Sequence, residues 1–370
     1  MKRLILILLL AILGCRSNSS TPSSLSTPVP ADFIPTAVAL TFEAQPTSTI
    51  PRTATTVPAI STTTPTTTAT QSLPTSTITT SSAPYEQYTI DYLRQRPYGG
   101  GIFEIVETIE VLDEFTRTLI RYSSDELTLY GFMNIPTGEG PFPVIIMIHG
   151  LGDSGSFSDL NFRSDIVDTL TYAGYIVIHP IMRGYPPSDS GDNMFRVGMA
   201  FDMLNLITLI KEQGGSPGAL EKAIPDQIGL LGQSMGGNVA LRVLTVSSDI
   251  RAAVLYSSLS GDELKNSEQL YKVTVDPQFQ NELNVLPGQL QSISPVYYYT
   301  NITAPIQLHH GTIDETVPVS GAEETCSLLT TAGKSIECIY YEGEDHVFDG
   351  DIKTQFLENA IRFYHTHLSP

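Results

Sequence analysis

The chain has 370 residues, enough for one large domain with additions or for two ordinary domains. Its 39 acidic residues outnumber its 20 basic residues, and the formal net charge of −19 argues against a nucleic-acid partner bound through phosphates. Three cysteines are too few for a disulfide-rich scaffold, and no Cys/His spacing indicates a metal site such as structural zinc.

The first fifteen residues have the pattern of a secretory signal peptide. A basic start is followed by an apolar run over residues 4–13, which is too short to span a bilayer. The run leads into Ile12-Leu13-Gly14-Cys15, which resembles the lipoprotein box of bacterial exported proteins. This resemblance implies cleavage before Cys15, lipidation of its thiol and attachment to the extracellular face of a bacterial cell membrane. Ordinary secretion with an incidental cysteine is the alternative.

Residues 16–84 have the composition of a disordered tether. They contain 12 Ser, 20 Thr and 10 Pro but only four charged residues. Such a segment cannot bury enough apolar surface to offset the entropy lost on ordering. We therefore expect a flexible spacer between the membrane and the folded part of the protein, which begins near residue 85.

Residues 85–370 alternate between strand and helix patterns and predict one α/β domain. This part has 16 basic and 37 acidic residues, and its acidic surface suits solubility and disfavours anionic lipids. Strands are predicted at 105–112, 116–122, 127–135, 144–149, 175–179, 228–231, 252–256, 306–309 and 336–341. Helices are predicted at 165–173, 194–213, 236–247, 321–332 and 352–367. This alternation indicates a mostly parallel central sheet with helices on both faces.

Two loops after early strands carry candidate supporting residues. His149-Gly150-Leu151-Gly152 follows the fourth strand, and the Leu151 N–H is a candidate oxyanion donor. His149 itself is interpreted as a structural loop residue. Arg183 follows the next strand and is a candidate for bracing the loops near the site.

The segment 232–237, Gly-Gln-Ser-Met-Gly-Gly, stands between a strand and a helix. This is the nucleophile-elbow pattern, and the strand before it and the helix after it are the elements that such an elbow requires. The pattern predicts that Ser234 is exposed at the turn. The helix that follows directs its positive end, and the Met235 N–H, towards a developing oxyanion.

The segment 261–295 interrupts the regular alternation of strands and helices. It has polar helical stretches and no strong strand pattern, and it follows a core strand at the edge of the sheet where ligands bind in such folds. We interpret it as a lid-like insertion that shapes the substrate site, with a merely structural helical excursion as the alternative.

The acid and the base of a triad are expected after the next two strands. Asp314 follows a strand and a Gly turn, and His346 follows the last strand. Because the carboxyl ends of parallel strands meet at one edge of the sheet, we predict that Ser234, Asp314 and His346 lie together. His346 would accept the Ser234 proton, and Asp314 would fix the imidazole tautomer and stabilise the imidazolium. The weaker candidates are His309, His310, His365, His367, Glu315, Asp345 and Asp226.

Two cysteines lie at similar heights in neighbouring elements. Cys326 is in the predicted helix after Asp314, and Cys338 is in the strand that follows. A disulfide suits an exported protein, and two separate buried thiols are the alternative.

These motifs resemble the α/β-hydrolase fold, and within it the catalytic domain of the prolyl oligopeptidase family and its dienelactone-hydrolase-like relatives. The resemblance spans residues 144–346. The matching segments are His149-Gly150-Leu151-Gly152, Arg183-Gly184, Asp202 within 201–205, Gly232 to Gly237, His310 to Pro318, and Asp345-His346. It implies a serine hydrolase with the triad Ser234, Asp314 and His346 and an oxyanion hole formed by the Leu151 and Met235 amides.

The chain departs from the family's peptidases in one respect. Those enzymes carry a β-propeller before the catalytic domain, whereas residues 85–143 contain no repeat. We therefore expect hydrolysis of small-molecule esters in preference to peptides, through an acyl-enzyme that needs no metal or organic cofactor. A prolyl oligopeptidase-like peptidase, an acyltransferase and a non-catalytic surface binding protein are the alternatives.

Overall fold

A computed structural model describes residues 85–152 and 164–368. The predicted signal peptide over 1–15, its lipidation at Cys15 and the tether over 16–84 lie outside the described residues. These parts of the domain organisation therefore stay predictions.

All nine predicted strands are present and form one sheet. The strand order is β1-β2-β3-β5-β4-β6-β7-β8-β9. The strands are β1 (Phe103–Val111), β2 (Phe115–Ser124), β3 (Leu127–Pro136), β4 (Phe142–Ile148), β5 (Ile176–Ile181), β6 (Ala223–Gln233), β7 (Ile250–Tyr256), β8 (Ile306–Gly311) and β9 (Ile336–Tyr341).

The sheet is antiparallel at its start and parallel through its centre. Strands β1, β2, β3 and β5 pair antiparallel, whereas all pairs from β5 through β4 to β9 are parallel. The central strands are buried on both faces, which explains why β4 reads as a continuous apolar run. After β4 the chain forms β5 on one side of that strand and then β6 on its other side. Such a switch point opens a crevice at the carboxyl edge of the sheet.

Helices cover both faces of the sheet, and all five predicted helices are present. Helices α2 and α9 pack on one face, while α3, α4 and α8 pack on the other. The helices are α1 (Ile90–Gln95), α2 (Ser164–Tyr172), α3 (Val197–Gln213), α4 (Met235–Val246), α5 (Glu263–Thr274), α6 (Pro277–Leu283), α7 (Pro287–Ile293), α8 (Val319–Thr331) and α9 (Gly350–His367). Among the described residues, no helix is both long and apolar enough to span a membrane.

The segment 261–295 is helical, as the sequence predicts, and comprises α5, α6 and α7. Its local sequence explains where these helices begin. Asp262 caps α5 by accepting the backbone N–H groups of Leu264 and Lys265, and Asp276 caps α6 in the same way, directly before Pro277. Whether this insertion acts as a lid stays a prediction.

Candidate active site

Ser234 occupies a sharp turn between β6 and α4. Its backbone has φ 53° and ψ −120°, a combination that a non-glycine residue adopts only under strain. Three backbone hydrogen bonds hold the turn: the Ser234 N–H donates to the Tyr256 carbonyl, and the Ser234 carbonyl accepts from Gly237 and Leu259, all at 3.0 Å. The turn leaves the Ser234 side chain half-buried at the carboxyl edge of the sheet.

Glycine is required at the elbow because backbone segments touch there. A Cβ on Gly236 would lie 2.1 Å from the carbonyl oxygen of Ile148 at the end of β4. A Cβ on Gly232 would lie 2.6 Å from the carbonyl oxygen of Gly236. The small residues therefore allow α4 to start directly beside β4, whose following loop contains the other candidate oxyanion donor.

The two candidate oxyanion donors flank this elbow. Met235 is buried and is the first residue of α4. Its N–H therefore belongs to the first turn of the helix, whose N–H groups have no partner within the helix and lie at the positive end of the dipole. Leu151 follows β4, next to Gly150, and a Cβ on Gly150 would lie 3.0 Å from the Ser234 Cβ. The structure thus brings the loop after β4 into contact with Ser234, and the role of both amides stays a prediction.

His149 is a structural residue of this loop, in line with the sequence interpretation. Its Nδ1 donates to the Gly150 carbonyl at 2.8 Å, and its Nε2 accepts the Met182 N–H at 3.3 Å. The ring packs edge-on against Tyr185, with centroids 4.9 Å apart. Burial, with a smaller contribution from His179, lowers the pKa of His149 to about 3, so the imidazole is neutral in the folded protein at ordinary pH.

The structure joins Asp314 and His346, which follow β8 and β9. The His346 Nδ1 donates to the Asp314 Oδ2 at 2.8 Å, and the Asp314 side chain is fully buried. The other oxygen, Oδ1, accepts the backbone N–H groups of Thr316 at 2.9 Å and Val317 at 2.7 Å. Only 16% of the His346 side chain is exposed. This arrangement leaves the imidazole Nε2 as the nitrogen that can exchange a proton with a neighbour.

Gly311 allows the loops after β8 and β9 to pack together. A Cβ there would lie 2.2 Å from the Glu344 carbonyl oxygen, so no larger residue fits without moving the loop. The Ile313 N–H donates to that same carbonyl at 3.0 Å. The Phe348 N–H donates to the Tyr256 hydroxyl at 2.6 Å and fixes the far side of the loop to the end of β7.

Hydrogen bonding keeps the Asp314 carboxylate ionised. Burial by itself raises the pKa of Asp314, but hydrogen bonds from His310, His346 and the Val317 N–H lower it by more. The net pKa lies well below the usual range of a carboxylic acid. A permanently charged carboxylate at this place can orient the imidazole and stabilise an imidazolium.

Three of the weaker candidate residues are hydrogen-bonded to other groups of the protein. His309 is buried, with its nitrogens bonded to the Tyr341 hydroxyl at 2.9 Å and to the Gln307 side chain at 2.8 Å. His310 donates from Nε2 to the Val317 carbonyl at 2.8 Å and lies 3.3 Å from the Asp314 carboxylate. Asp345 accepts the backbone N–H groups of Glu315 and His346.

Arg183 is buried and its guanidinium is occupied by other protein groups. It pairs through two nitrogens with Asp202, at 2.9 and 2.6 Å, and donates to the Asp192 carbonyl at 2.9 Å. Ser124 donates to the same Asp202 carboxylate at 2.6 Å. Arg183 therefore ties the loop after β5 to α3, and its support of the site stays a prediction.

A cavity of ≈ 450 Å³ adjoins the candidate oxyanion donors, and we call it the oxyanion-side cavity. Leu151 and Met235 line one end, next to Tyr185, whose hydroxyl hydrogen-bonds the backbone of Gly152. Phe279, from α6 of the insertion, also lines it. The insertion therefore forms part of the wall of a cavity beside the elbow, and this volume suits a small organic ligand.

Several contacts that hold the site together have no signature in the sequence. The contact of His310 with Asp314 is one, and the pairing of Tyr185 with the loop after β4 is another. A group of buried charges under the insertion is a third, comprising Arg196, Arg242, Glu263 and Glu282. Arg242, a charged residue within the otherwise apolar sequence of α4, was the available hint.

Cys326 and Cys338 form a disulfide, with their Cα atoms 6.4 Å apart. Of the two alternatives left open by the sequence, the structure therefore has the bonded one. It links α8 to β9, the strand that precedes His346. Within the described residues, no cluster of three or more His, Cys, Asp or Glu side chains is placed to hold a metal ion.

Comparison with known proteins supports the resemblance seen in the motifs. Residues 220–370 match the model of the prolyl oligopeptidase family, and the range contains Ser234, Asp314 and His346. The uncharacterized peptidase YuxL of Bacillus subtilis (strain 168) is 22% identical over an alignment of length 291, which covers 73% of this chain and 41% of that protein. The chain thus spans less than half the length of this relative, and the predicted family resemblance is confirmed.

Solved structures confirm the fold class. Acetyl xylan esterase 1 from Thermoanaerobacterium sp. JW/SL YS485 is similar with a TM-score of 0.54 at 14% identity, covering 75% of this chain and 94% of the esterase. The acylaminoacyl peptidase of Pyrococcus horikoshii is similar with a TM-score of 0.56 at 20% identity, covering 70% of this chain and 42% of the peptidase. At these identities the likeness concerns the fold alone.

Proposed function

We propose that this chain, a serine hydrolase with the α/β-hydrolase fold and a prolyl oligopeptidase family match over residues 220–370, hydrolyses carboxylic esters of small molecules. One observation carries the proposal. The buried, ionised Asp314 holds His346 by a 2.8 Å hydrogen bond at the sheet edge where the strained elbow presents Ser234.

In the proposed mechanism Ser234 is the nucleophile. His346 Nε2 removes the hydroxyl proton while the Ser234 Oγ attacks the ester carbonyl carbon, and the imidazolium that forms is stabilised by Asp314. The Leu151 and Met235 N–H groups receive the oxyanion of the tetrahedral intermediate. His346 then protonates the departing alcohol, leaving an acyl-enzyme. His346 in turn deprotonates a water, which attacks the acyl carbonyl carbon. The bond to the Ser234 Oγ then breaks, His346 returns the proton to that oxygen, and the acid is released.

The structure of the region before β4 favours an ester substrate over a peptide substrate whose access to the site a propeller would control. Residues 85–141 supply α1 and the strands β1, β2 and β3 of the main sheet, so this region does not form a separate gating module. The structural similarity extends over 94% of an acetyl xylan esterase but only 42% of an acylaminoacyl peptidase. Peptide hydrolysis is the second candidate, because the relative from B. subtilis is named as a peptidase.

The test is the turnover of two matched chromogenic substrates by the full chain. We expect efficient cleavage of p-nitrophenyl butyrate and weak cleavage of a proline p-nitroanilide. Ser234→Ala should lower ester turnover by at least ~10⁴-fold because it removes the nucleophile. Ser292→Ala, in α7, is the matched control and should retain wild-type turnover.

A fluorophosphonate probe supplies an independent readout. It should label the wild type and the Ser292→Ala control but not Ser234→Ala. Ester turnover that survives Ser234→Ala would contradict the assignment of the nucleophile. A preference for the anilide would replace ester hydrolysis by the peptidase function while keeping the same proposed triad.

We further propose that the enzyme is exported and held outside a bacterial membrane by lipid on Cys15. The support is the sequence alone: this cysteine stands two residues after the apolar run over 4–13, and residues 16–84 suit a tether. Acyl chains contribute about 0.8 kcal/mol per buried CH₂, so two or three give stable anchoring. An alkynyl palmitate label should enter the wild-type protein but not Cys15→Ser, which should appear in the medium. Label on Cys15→Ser would contradict this site.

A further inference from the structure

A second and larger cavity, of ≈ 600 Å³, lies between α5, the segment after β7 and the start of α8. We call it the apolar cavity. Its apolar wall residues include Leu259, Leu283, Val317 and Pro318. None of these residues takes part in the chemistry proposed above, so the cavity has no role in that mechanism.

Two residues in the wall of the apolar cavity are hydrogen-bonded to proposed catalytic residues. The Leu259 N–H donates to the Ser234 carbonyl at 3.0 Å, so this wall residue is bonded to the elbow itself. The Val317 N–H donates to the Asp314 Oδ1 at 2.7 Å. Two wall residues of the cavity are therefore fixed through their backbone to the elbow and to the acid, so the cavity lies next to the segments that carry the proposed catalytic residues.

Several polar side chains around this cavity are already bound to other protein groups. The Asn266 amide donates to the Ser260 carbonyl at 2.8 Å, and the Gln269 amide donates to the Thr316 carbonyl at 2.6 Å. Lys265 pairs with Glu324 outside the cavity. The surface left for a ligand is mainly hydrocarbon, and such a surface recognises apolar chains rather than polar groups.

Val275 adds apolar surface where the local backbone does not favour it. It ends α5 with φ 56°, in the left-handed region that glycine or asparagine adopts with less strain. Its side chain is 68% exposed and lines the cavity. A β-branched residue at this position costs folding energy and supplies the mouth of the cavity with a hydrocarbon wall.

We propose that the apolar cavity is a substrate subsite that binds a hydrocarbon chain of the ester. This inference rests on the proposed ester hydrolysis and narrows the substrate to esters that carry an alkyl chain longer than acetyl or ethyl. Burying each added methylene in such a site should raise kcat/KM by roughly two- to fourfold until the cavity is full.

The test measures kcat/KM of the full chain on two ester series. In the first, the acyl chain of p-nitrophenyl esters is lengthened from acetate to octanoate. In the second, the alcohol of alkyl acetates is lengthened from ethyl to octyl, with acid release followed by pH indicator. A rise with chain length in the first series assigns the cavity to the acyl chain, and a rise in the second assigns it to the alcohol. Flat or falling profiles in both series would overturn the subsite.

A variant that fills the cavity localises the effect. Gly321 lies in α8 on the cavity wall, and a Cβ there would meet nothing within 4 Å, so Gly321→Phe can project into the space. We expect the octanoate-to-acetate ratio of kcat/KM to fall at least tenfold. Gly288→Phe is the matched control, because Gly288 is helical, equally open and away from the cavity, and its ratio should stay at the wild-type value.

The outcomes separate this inference from the proposed function. If the wild type cleaves anilides and no esters, the proposed function fails and the subsite with it. If short esters are cleaved without any chain-length dependence, the subsite alone fails. An unchanged octanoate-to-acetate ratio in Gly321→Phe, or in Ser320→Trp should the first variant not fold, would also overturn it.

Discussion

His149 determines where the Leu151 N–H points. Its Nδ1–H donates to the Gly150 carbonyl, and in a trans peptide the C=O and the following N–H point in opposite directions. The Leu151 N–H therefore faces away from the imidazole. The Met182 N–H, which donates to Nε2, fixes the tautomer that makes this possible.

Removing the imidazole should reduce the stabilisation of the transition state more than the binding of substrate. We expect His149→Leu to lower kcat for a p-nitrophenyl ester by about 10- to 100-fold. This is less than the roughly 10²- to 10³-fold that follows the removal of an oxyanion donor, because the Leu151 N–H is misplaced and not lost. KM should change by less than about threefold. Steady-state kinetics at saturating ester provide the measurement.

The conservative variant distinguishes positioning from general damage. The amide of His149→Asn can donate from nearly the same place as Nδ1, so this variant should recover at least half of the lost activation free energy. Equal losses in both variants, or a loss that lies entirely in KM, would show that the imidazole does not orient the donor.

At the scale of the elements, a buried ion cluster joins the insertion to the core helices. The Arg196 guanidinium pairs with Glu263 of α5 and, at 3.1 Å, with Glu282 of α6. Arg242 of α4 pairs with the same Glu263, and these four side chains are at most 1% exposed. The insertion is thereby held against the helix that begins directly after Ser234.

The cluster also fixes the backbone where α3 begins. The Glu282 carboxylate accepts the Phe195 N–H at 2.7 Å, and Phe195 and Arg196 both have positive φ, at 53° and 59°. Left-handed conformations of this kind persist only where surrounding contacts over-determine them. The ion cluster provides such contacts, so the wall of the oxyanion-side cavity is built as one unit with the core.

Breaking one member of the cluster should be costly. We expect Glu263→Gln to lower the free energy of unfolding by about 3–5 kcal/mol, because two buried guanidinium groups would lose their shared carboxylate. Urea unfolding followed by circular dichroism measures the change. Glu324→Gln is the matched control: its pair with Lys265 is about half exposed, and we expect a loss of at most about 1 kcal/mol. A similar small loss in both variants would contradict a stabilising role of the cluster.

At the scale of the whole molecule, three buried histidines make the fold sensitive to acid. Burial lowers the pKa of His149 to about 3, of His179 to about 4 and of His309 to about 3. In the unfolded chain each ring has a pKa near ~6.5. Between about pH 4 and 6.5 the unfolded state therefore binds more protons than the folded state, and stability falls as the pH falls.

Each such histidine should contribute a slope of about 1.4 kcal/mol per pH unit below pH ~6. We expect His309→Phe to reduce the loss of unfolding free energy between pH 6 and 5 by about that amount. Urea unfolding at both pH values measures the slope for the wild type and the variant.

Because the acidic surface also responds to pH, only the difference between the wild type and the variant isolates one ring. An unchanged slope in His309→Phe would mean that this imidazole gains a proton in the folded state as readily as in the unfolded chain. The burial of His309, stacked on Tyr341 and packed edge-on against Phe356, gives the physical reason to expect otherwise.

The sequence alone determined the order of strands and helices and the places where Ser234, Asp314 and His346 follow β6, β8 and β9. These features are local: an apolar run fixes a buried strand, and a Gly-rich turn fixes the break after it. Parallel strands then bring their carboxyl ends to one edge, so the neighbourhood of these residues follows from a fold-level rule.

Only the tertiary structure decided which distant side chains meet. The pairing of Arg196 with Glu263, the second histidine on Asp314 and the Cys326–Cys338 bond each join residues from separate elements. The apolar cavity likewise exists only because α5 and α8 meet beside the segment after β7. Local patterns encode which backbone a segment adopts and which face is buried, whereas such contacts depend on distances that arise only when the elements pack.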